Sequence, residues 1–185
     1  MANTIVYLEG DATQPIKKPA CIVHVCNDIA VWGAGFVLAL SRRFGNAGGS
    51  PEACYREWAR KKVWPSSILV AQDVVASSVV PSGASVRIAS FELGQVQFVQ
   101  VADDLYVANM IAQHDVGFKS GQIPLRYDML RECLIKVYSA IDEIKAFTMT
   151  VHMPRIGCGL AGGNWNDVEK IIRETATVDT YVYSL

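Results

Sequence analysis

The apolar positions of the chain fall into short, nearly continuous runs that alternate with stretches of helical periodicity. Runs that are apolar almost throughout are typical of strands covered on both faces. They predict strands over 4–8, 21–25, 68–72, 95–101, 105–112, 147–153 and 180–184. Helical spacing predicts helices over 35–44, 52–61, 124–144 and 168–175. Strands interleaved with helices indicate an α/β domain with helices on both faces of a mixed sheet.

The third predicted helix has the clearest pattern, because Leu130, Leu134, Val137 and Ile141 recur at helical spacing after Pro124. The stretch 73–92 fits neither pattern. It is rich in Ser, Val and Ala and carries Pro81-Ser-Gly83, so it is either an extra hairpin around that turn or a mobile surface loop. With 185 residues, the chain is expected to be one domain, 1–185, with an insertion at about 73–92.

Composition excludes several classes of protein. Apolar residues make up 51% of the chain and mean hydropathy is +0.21, which excludes global disorder. The net charge of −1, without long runs of either sign, gives no basic surface for nucleic acid. Five scattered cysteines without a C-x-x-C pair argue against a disulfide framework and a zinc ribbon, so no metal is expected. No secretory leader and no long apolar window are visible, which favours a cytoplasmic protein without a membrane partner.

Residues 157–163, Gly-Cys-Gly-Leu-Ala-Gly-Gly, lie between a predicted strand and a predicted helix that begins near Asn164 or Asn166. Such a turn frees backbone N–H groups for close approach to an anion and adds a helix dipole, which favours a phosphate or diphosphate. The run also spells G-x-G-x-x-G, with Asp179 at the spacing of a ribose-binding acid. Only one helix and one strand follow, whereas a Rossmann domain needs more βα units downstream. We therefore expect the anion site without the Rossmann fold.

A second segment of the same kind runs from His24 to Phe36. It contains a strand, then Asn27 and Asp28, and then a small-residue turn with Gly33 and Gly35 before a helix. The two polar side chains can hydrogen-bond sugar hydroxyls, and the turn can accept an anion. Equally, Asn and Asp are ordinary turn formers, and the glycines can serve packing alone.

Asp11 follows the opening strand in Glu9-Gly-Asp-Ala-Thr13. Its carboxylate can cap the next turn or accept a hydrogen bond from an exocyclic amine such as that of adenine. The segment alone does not decide between the two.

The remaining chemistry-bearing side chains have simpler interpretations. His24 and His152 lie within apolar strands and are expected to be satisfied interior groups, whereas His114, followed by Asp115, is expected at the border of the cleft. Cys158 lies where helix N–H groups can lower its pKa, although a small side chain in a crowded loop is the preferred interpretation. H-E-x-x-H, a Walker lysine and G-x-S-x-G do not occur in the sequence, which disfavours kinase, P-loop and serine hydrolase chemistry.

Taken in order, these segments resemble the macro domain, the ADP-ribose-binding α/β module, over nearly the whole chain. Within the family, the chain looks most like the branch that contains terminal ADP-ribose protein glycohydrolase and its bacterial relatives. The resemblance implies a three-layer α/β/α sandwich around a mixed six- to seven-stranded sheet. The matching segments are Gly10-Asp-Ala-Thr13, Val25-Cys-Asn27, Trp32-Gly-Ala-Gly-Phe36, Ala108-Asn-Met-Ile-Ala-Gln113, Met153-Pro-Arg-Ile-Gly-Cys-Gly-Leu160 and Val182-Tyr-Ser-Leu185.

By position, the resemblance implies that Asp11 binds the adenine amine beside the Ala12 backbone and that Asn27 contacts the distal ribose. It makes Tyr183 and Leu185 the border of the adenosine. The first diphosphate and ribose loop would be Gly33, Ala34, Gly35 and Phe36. The second loop would be Ile156, Gly157, Cys158, Gly159, Leu160 and Ala161. ADP-ribose is the implied ligand, and no cofactor is expected.

The chain departs from the human-type glycohydrolase at two positions. Gln113 stands where that branch has a lysine, and Ala161 stands where it has an aspartate. A lysine adduct with the opened ribose is therefore not available, and Ala161 cannot act as an acid or base.

The leading hypothesis is an ADP-ribosyl hydrolase that cleaves the ester between ribose and an acidic protein side chain, with Asn27, Asp28 and Gln113 as candidate catalytic residues. ADP-ribosylated protein is then the partner, and nucleic acid is expected only as an ADP-ribosylated substrate. ADP-ribose 1″-phosphate phosphatase activity and a reader that binds ADP-ribose without turnover remain open alternatives.

Overall fold

Eight strands and four helices make up the part of the chain that the computed structural model describes, residues 4–45, 49–65, 88–118, 121–144 and 148–184. The strands are β1 (Ile5–Glu9), β2 (Ala20–Asn27), β3 (Val63–Pro65), β4 (Ile88–Ser90), β5 (Val96–Ala102), β6 (Leu105–Gln113), β7 (Thr150–Pro154) and β8 (Thr180–Ser184). The helices are α1 (Phe36–Phe44), α2 (Pro51–Lys61), α3 (Tyr127–Asp142) and α4 (Trp165–Thr175).

Six strands form one mixed sheet in the order β1-β8-β7-β2-β6-β5. Only the β5–β6 pair is antiparallel in this sheet, and the other neighbouring pairs are parallel. The short strands β3 and β4 pair antiparallel in a separate two-stranded sheet. Parallel alignment places the carboxyl ends of β1, β8, β7, β2 and β6 along one edge of the main sheet.

Both faces of the main sheet are covered, which explains why its strands are apolar almost throughout. Along β2, Cys21 and Val23 pack into the core beneath α3 and α4, while Ala20 and Ile22 pack into the core beneath α1 and α2. The predicted three-layer α/β/α sandwich around a mixed sheet is confirmed, with six strands in the main sheet.

The predicted helices are all present, with boundaries that differ by a few residues. Helix α2 begins at Pro51 behind the cap Ser50, and α4 begins at Trp165 behind the predicted cap Asn164. The apolar face predicted for the third helix is buried in α3. Among the described residues, no helix has both the length and the apolar character needed to cross a membrane.

The strand predictions hold for the main sheet, and the small sheet was not predicted. The predicted strand over 147–153 is observed as Thr150–Pro154. Residue 147 lies outside the described residues, and 148 and 149 precede the strand. The predicted strand over 68–72 also lies outside them. Of the 73–92 stretch only 88–92 is described, and it contains β4, whose partner is β3 rather than a strand across the Pro81-Ser-Gly83 turn.

After the glycine run, the described residues contain helix α4 and then strand β8, as predicted. Asp179 directly precedes β8 and lies at the amino end of the parallel strands, where it accepts a hydrogen bond from Thr4 N and pairs with Lys17. It is therefore at the opposite edge from the glycine loops and cannot serve a ligand there.

His24 and His152 are buried in the sheet, as predicted, and their ring nitrogens have polar partners. His24 Nε2 lies 2.6 Å from Asn109 Oδ1, while His152 contacts Thr150 Oγ1 at 2.9 Å and Tyr183 Oη at 2.8 Å. Burial lowers the pKa of each imidazole to about 4, since desolvation disfavours the charged ring. Both rings are therefore neutral in the folded protein near pH 7.

We predict that the folded state loses stability as the pH falls from about 6.5 towards about 4, the unfolded and folded values for these imidazoles. The unfolded chain binds protons at higher pH than the folded chain does, so protonation favours unfolding over this window. For His24 the full effect is about 3 kcal/mol. Denaturant unfolding measured against pH checks this. The variants His24→Gln and His152→Gln should each flatten the profile, and wild-type pH dependence in both would contradict it.

Candidate functional site

Two adjoining cavities open at the carboxyl edge of the main sheet, where β7, β2 and β6 lie side by side. The first cavity has a volume of about 190 Å³ and the second about 440 Å³, and together we call them the cleft. The residues that line both cavities are Val25, Ala34, Val37, Gln113, Gly159 and Leu160.

The two predicted loops form opposite walls of the cleft. A Cβ atom placed on Gly35 of the first loop would lie 3.7 Å from Leu160 Cδ1 of the second, so the loops approach to van der Waals contact. Within the described residues, the backbone N–H groups of Ala34, Phe36 and Gly159 have no hydrogen-bond acceptor. Those of the first loop also begin α1, where the helix dipole favours an anion. The arrangement suits a diphosphate.

The sequence had indicated a helix dipole from the helix that follows the glycine run, α4. In the structure, the helix end that faces the cleft is instead that of α1. Helix α4 is separated from the cleft by residues 162–164, and neither Asn164 nor Trp165 lines either cavity. The Asn164 side chain already accepts from Asn166 N at 2.9 Å. The second loop therefore contributes bare amides but no helix dipole.

Leu125 explains two of the four glycines in the run 157–163, namely Gly157 and Gly163. Its side chain would lie 2.9 Å from a Cβ atom on Gly157 and 2.4 Å from one on Gly163, so neither position accepts a side chain. Leu125 N also donates to Ala161 O at 3.0 Å, while His114 N at the end of β6 donates to Pro124 O at 2.9 Å. Through these two hydrogen bonds, Pro124 and Leu125 connect the second loop to the end of β6.

Gly33 and Gly159 have no such explanation. A Cβ atom at either position would meet nothing within 4 Å, and neither residue has a positive φ. Both line the cleft, Gly33 in the second cavity and Gly159 in both. Neither packing nor a positive φ within the described residues requires glycine at these two positions, and the absence of a side chain leaves room for a ligand to approach the backbone.

Asn27 lines the second cavity, but its amide holds its own loop. Its Oδ1 accepts from Val31 N at 3.0 Å and from Tyr55 Oη at 3.1 Å, and its Nδ2 donates to Val31 O at 2.6 Å. One amide hydrogen is left for a ligand. The contact between Asn27 and the ribose thus stays a prediction. What the structure shows is that the Asn27 side chain holds the loop from 27 to 31 in place.

The other two candidate catalytic residues lie in different places. Gln113 lines both cavities, and its Nε2 donates to Asp115 O at 2.8 Å, which leaves its carbonyl oxygen for a ligand. Asp28 lines neither cavity. Its carboxylate contacts His114 Nδ1 at 2.7 Å and accepts from Asp115 N at 2.9 Å. His114 lies beside a third cavity rather than the cleft.

The predicted adenosine residues that the structure describes, Asp11, Ala12 and Tyr183, lie at the same sheet edge but outside both cavities of the cleft. Burial raises the pKa of the Asp11 carboxyl, but hydrogen bonds from Thr13 and Gln14 outweigh it, so the pKa lies below its usual range. Ala12 is buried, and Tyr183 Oη is engaged with His152 and Ile16 N. Leu185 lies outside the described residues. The adenine contacts stay predictions.

Cys158 is not an activated thiol. Its half-buried side chain packs against the core beneath α3 and α4, and this burial raises its pKa, which the nearby Arg155 lowers only in part. It lines neither cavity, whereas Ile156 beside it is buried and lines the first. The preferred interpretation, a small side chain in a crowded loop, is therefore the one that the structure supports.

Arg155 and Phe118 are two side chains of the cleft wall that the sequence analysis did not single out as site residues. Arg155 lines the first cavity, with its guanidinium 5.5 Å from the centre of the Trp165 ring, and Phe118 lines the second with 67% of its surface exposed. Arg155 lies two residues before the glycine run, so its position was a usable signal. Phe118 lies in an irregular segment after β6, where sequence offers no comparable signal.

Comparison with solved structures identifies the fold. A protein of unknown function from Bacteroides thetaiotaomicron is 41% identical, with full coverage of both chains and a TM-score of 0.77. A macrodomain protein from Streptomyces coelicolor is 39% identical over 98% of this chain and 99% of that chain, with a TM-score of 0.69. The macrodomain of Mycobacterium tuberculosis DarG is 19% identical with a TM-score of 0.63, which shows a shared fold alone.

Comparison with curated proteins points the same way. Mouse chromodomain-helicase-DNA-binding protein 1-like is 30% identical over 98% of this chain, which spans only 18% of that protein's length. An ADP-ribose 1″-phosphate phosphatase from Lodderomyces elongisporus is 23% identical over 97% of this chain and 98% of its own length. No family model matches the chain. The full-length likeness to the Streptomyces coelicolor protein nevertheless shows that this chain belongs to the macrodomain family.

Proposed function

We propose that this macrodomain binds ADP-ribose in the cleft and hydrolyses the ester that joins ADP-ribose to an acidic protein side chain. One observation carries the proposal: two loops with unpartnered amides line one cleft. In these loops Gly33 and Gly159 leave the backbone accessible, although neither packing nor a positive φ requires glycine there. ADP-ribose supplies a diphosphate for the amides and two riboses for the flanking walls.

The order of the strands in the sheet supports one direction for the bound ligand. The second loop follows β7 and the first follows β2, so the diphosphate would lie between these strands, with Arg155 beside it as a cation. Asp11 follows β1, at the edge of the sheet on the β7 side, and its carboxylate can accept a hydrogen bond from the adenine amine. We therefore place the adenine on that side. The distal ribose would then occupy the second cavity, near Asn27 and the exposed ring of Phe118.

The walls of the cleft limit the chemistry. Among the described lining residues there is no carboxylate, and the one imidazole, that of His24, has its pKa lowered to about 4 by burial. Gln113 can orient water but cannot deprotonate it. Hydrolysis consumes one water and yields ADP-ribose, a carboxylate and a proton. A phosphate oxygen of the ligand is therefore the proton acceptor that we propose, with the labile ester making this modest help sufficient.

The same absence of a lining carboxylate favours a second candidate, a reader that binds ADP-ribose without turnover. The phosphatase alternative is supported only by the likeness to the Lodderomyces elongisporus protein of that name. All three candidates use the same cleft, and they differ in which bond, if any, is broken.

We predict that Gly159→Glu abolishes ADP-ribose binding while the protein still folds. The open space around Gly159 accepts the side chain, but its charge then lies against the diphosphate. At ~4 Å and an effective dielectric constant of about 20, each like-charge pair costs about 4 kcal/mol, so affinity should fall by more than roughly a hundredfold. Calorimetric titration of the variant and the wild type with ADP-ribose measures this loss of affinity.

Two further substitutions at the same position serve as controls. Gly159→Ala should lose part of the affinity, because its Cβ atom lies where the ligand approaches the backbone. Gly159→Gln should lose more than Gly159→Ala but less than the charged variant, because only the steric term remains. A Gly159→Glu variant that melts like wild type and binds ADP-ribose equally well would place the diphosphate elsewhere.

We predict that the wild-type protein releases ADP-ribose from a glutamate-linked substrate, with little release from serine-linked or DNA-linked substrates. The acyl ester is the more labile bond, and the cleft lacks the base that a stronger bond needs. Gln113→Ala should slow release by roughly tenfold, because a water loses its orienting group, while ADP-ribose binding stays within about twofold.

The substrates separate the three candidates. Phosphate release from ADP-ribose 1″-phosphate, with no release from the glutamate ester, would show the phosphatase instead. Tight ADP-ribose binding without turnover of any substrate at high protein concentration would leave the reader.

A further inference from the structure

A third cavity, of about 280 Å³, lies next to the cleft and is not used by the nucleotide as placed above. It adjoins the second cavity through Gly117, which lines both. Its lining residues are His114, Asp115, Gly117, Gln122, Ile123, Pro124 and Arg126. The volume equals that of roughly nine liquid-water molecules, enough for an amino-acid side chain and adjoining peptide groups.

The position of this cavity follows from the order of the strands. Asp11 follows β1, the second loop follows β7, the first loop follows β2, and the third cavity lies beyond the end of β6. An extended nucleotide with its adenine at β1 reaches β2 with its distal ribose. Whatever is attached to that ribose then projects over the end of β6.

The polar groups of the cavity are held in place by the protein. Arg126 donates from one guanidinium nitrogen to the carbonyls of Ile123 and Pro124, which leaves further N–H groups of its fork for a ligand. His114 is oriented by its 2.7 Å contact with Asp28, which Asp115 N holds from the other side. A fixed guanidinium matches carbonyl and carboxylate oxygens.

We infer that the third cavity binds the polypeptide part of the substrate, the acyl side chain and flanking backbone of an ADP-ribosylated acidic segment, with Arg126 as the group that recognises it. This inference rests on the proposed binding of ADP-ribose in the cleft. It explains how a protein-linked substrate is distinguished from the free nucleotide, which has nothing to place there.

The test compares two ligands: free ADP-ribose, and an acidic peptide that carries ADP-ribose through a hydrolysis-resistant amide in place of the glutamate ester. Arg126→Gln should weaken peptide-linked binding by about tenfold and leave free ADP-ribose within about twofold, because only the former loses a charge-assisted hydrogen bond. Gln122→Trp, which fills the cavity from an exposed position without removing Arg126, should have the same selective effect. Arg131→Gln, in helix α3 just after Arg126 but paired with Glu174, is the control and should change neither affinity.

The outcomes separate this inference from the function on which it rests. Absence of free ADP-ribose binding in the wild type would overturn both. Normal binding of free ADP-ribose, together with peptide-linked binding that neither Arg126→Gln nor Gln122→Trp weakens, would overturn the third-cavity inference alone. An equal loss of affinity for both ligands in both variants would also overturn the third-cavity inference, since the cavity would then contribute to binding of the nucleotide itself.

Discussion

The parallel alignment of β7, β2 and β6 is the constraint on which the rest of the site depends. Parallel strands bring their carboxyl ends to one edge, so the loops that follow β7 and β2 must lie side by side, with the end of β6 next to them. Segments separated by more than a hundred residues in sequence thereby form one cleft. Both faces of these strands are buried under helices, which makes this edge a fixed frame.

Within that frame, the site is built from backbone more than from side chains. The cleft presents N–H groups and few charges, and Leu125 holds the second loop by a backbone hydrogen bond and by close packing on Gly157 and Gly163. Asn27 shapes the first loop with its own amide. Such a site presents backbone donors that suit an anionic ligand, but its lining has few groups that transfer protons.

Much of this arrangement is readable from the sequence, since buried parallel strands and glycine-rich turns leave local patterns. The helix face of α3, the cap at Asn164 and the interior places of His24 and His152 are of this kind. Contacts between distant segments leave no such pattern. The packing of Leu125 on the glycines, and the choice of α1 over α4 as the helix end at the cleft, depend on tertiary placement. The three-residue strands β3 and β4 are too short for periodicity to mark them.

The central claim is that bare amides of the two loops hold the ligand's diphosphate, and titration of the amide resonances of isotopically labelled protein with ADP-ribose tests it most directly. The account predicts that the largest shifts fall on residues 34–36 and 159–161, with little change on the distant edge strand β5. Saturating ADP-ribose that leaves these resonances unmoved, or that moves a different surface, would contradict the account.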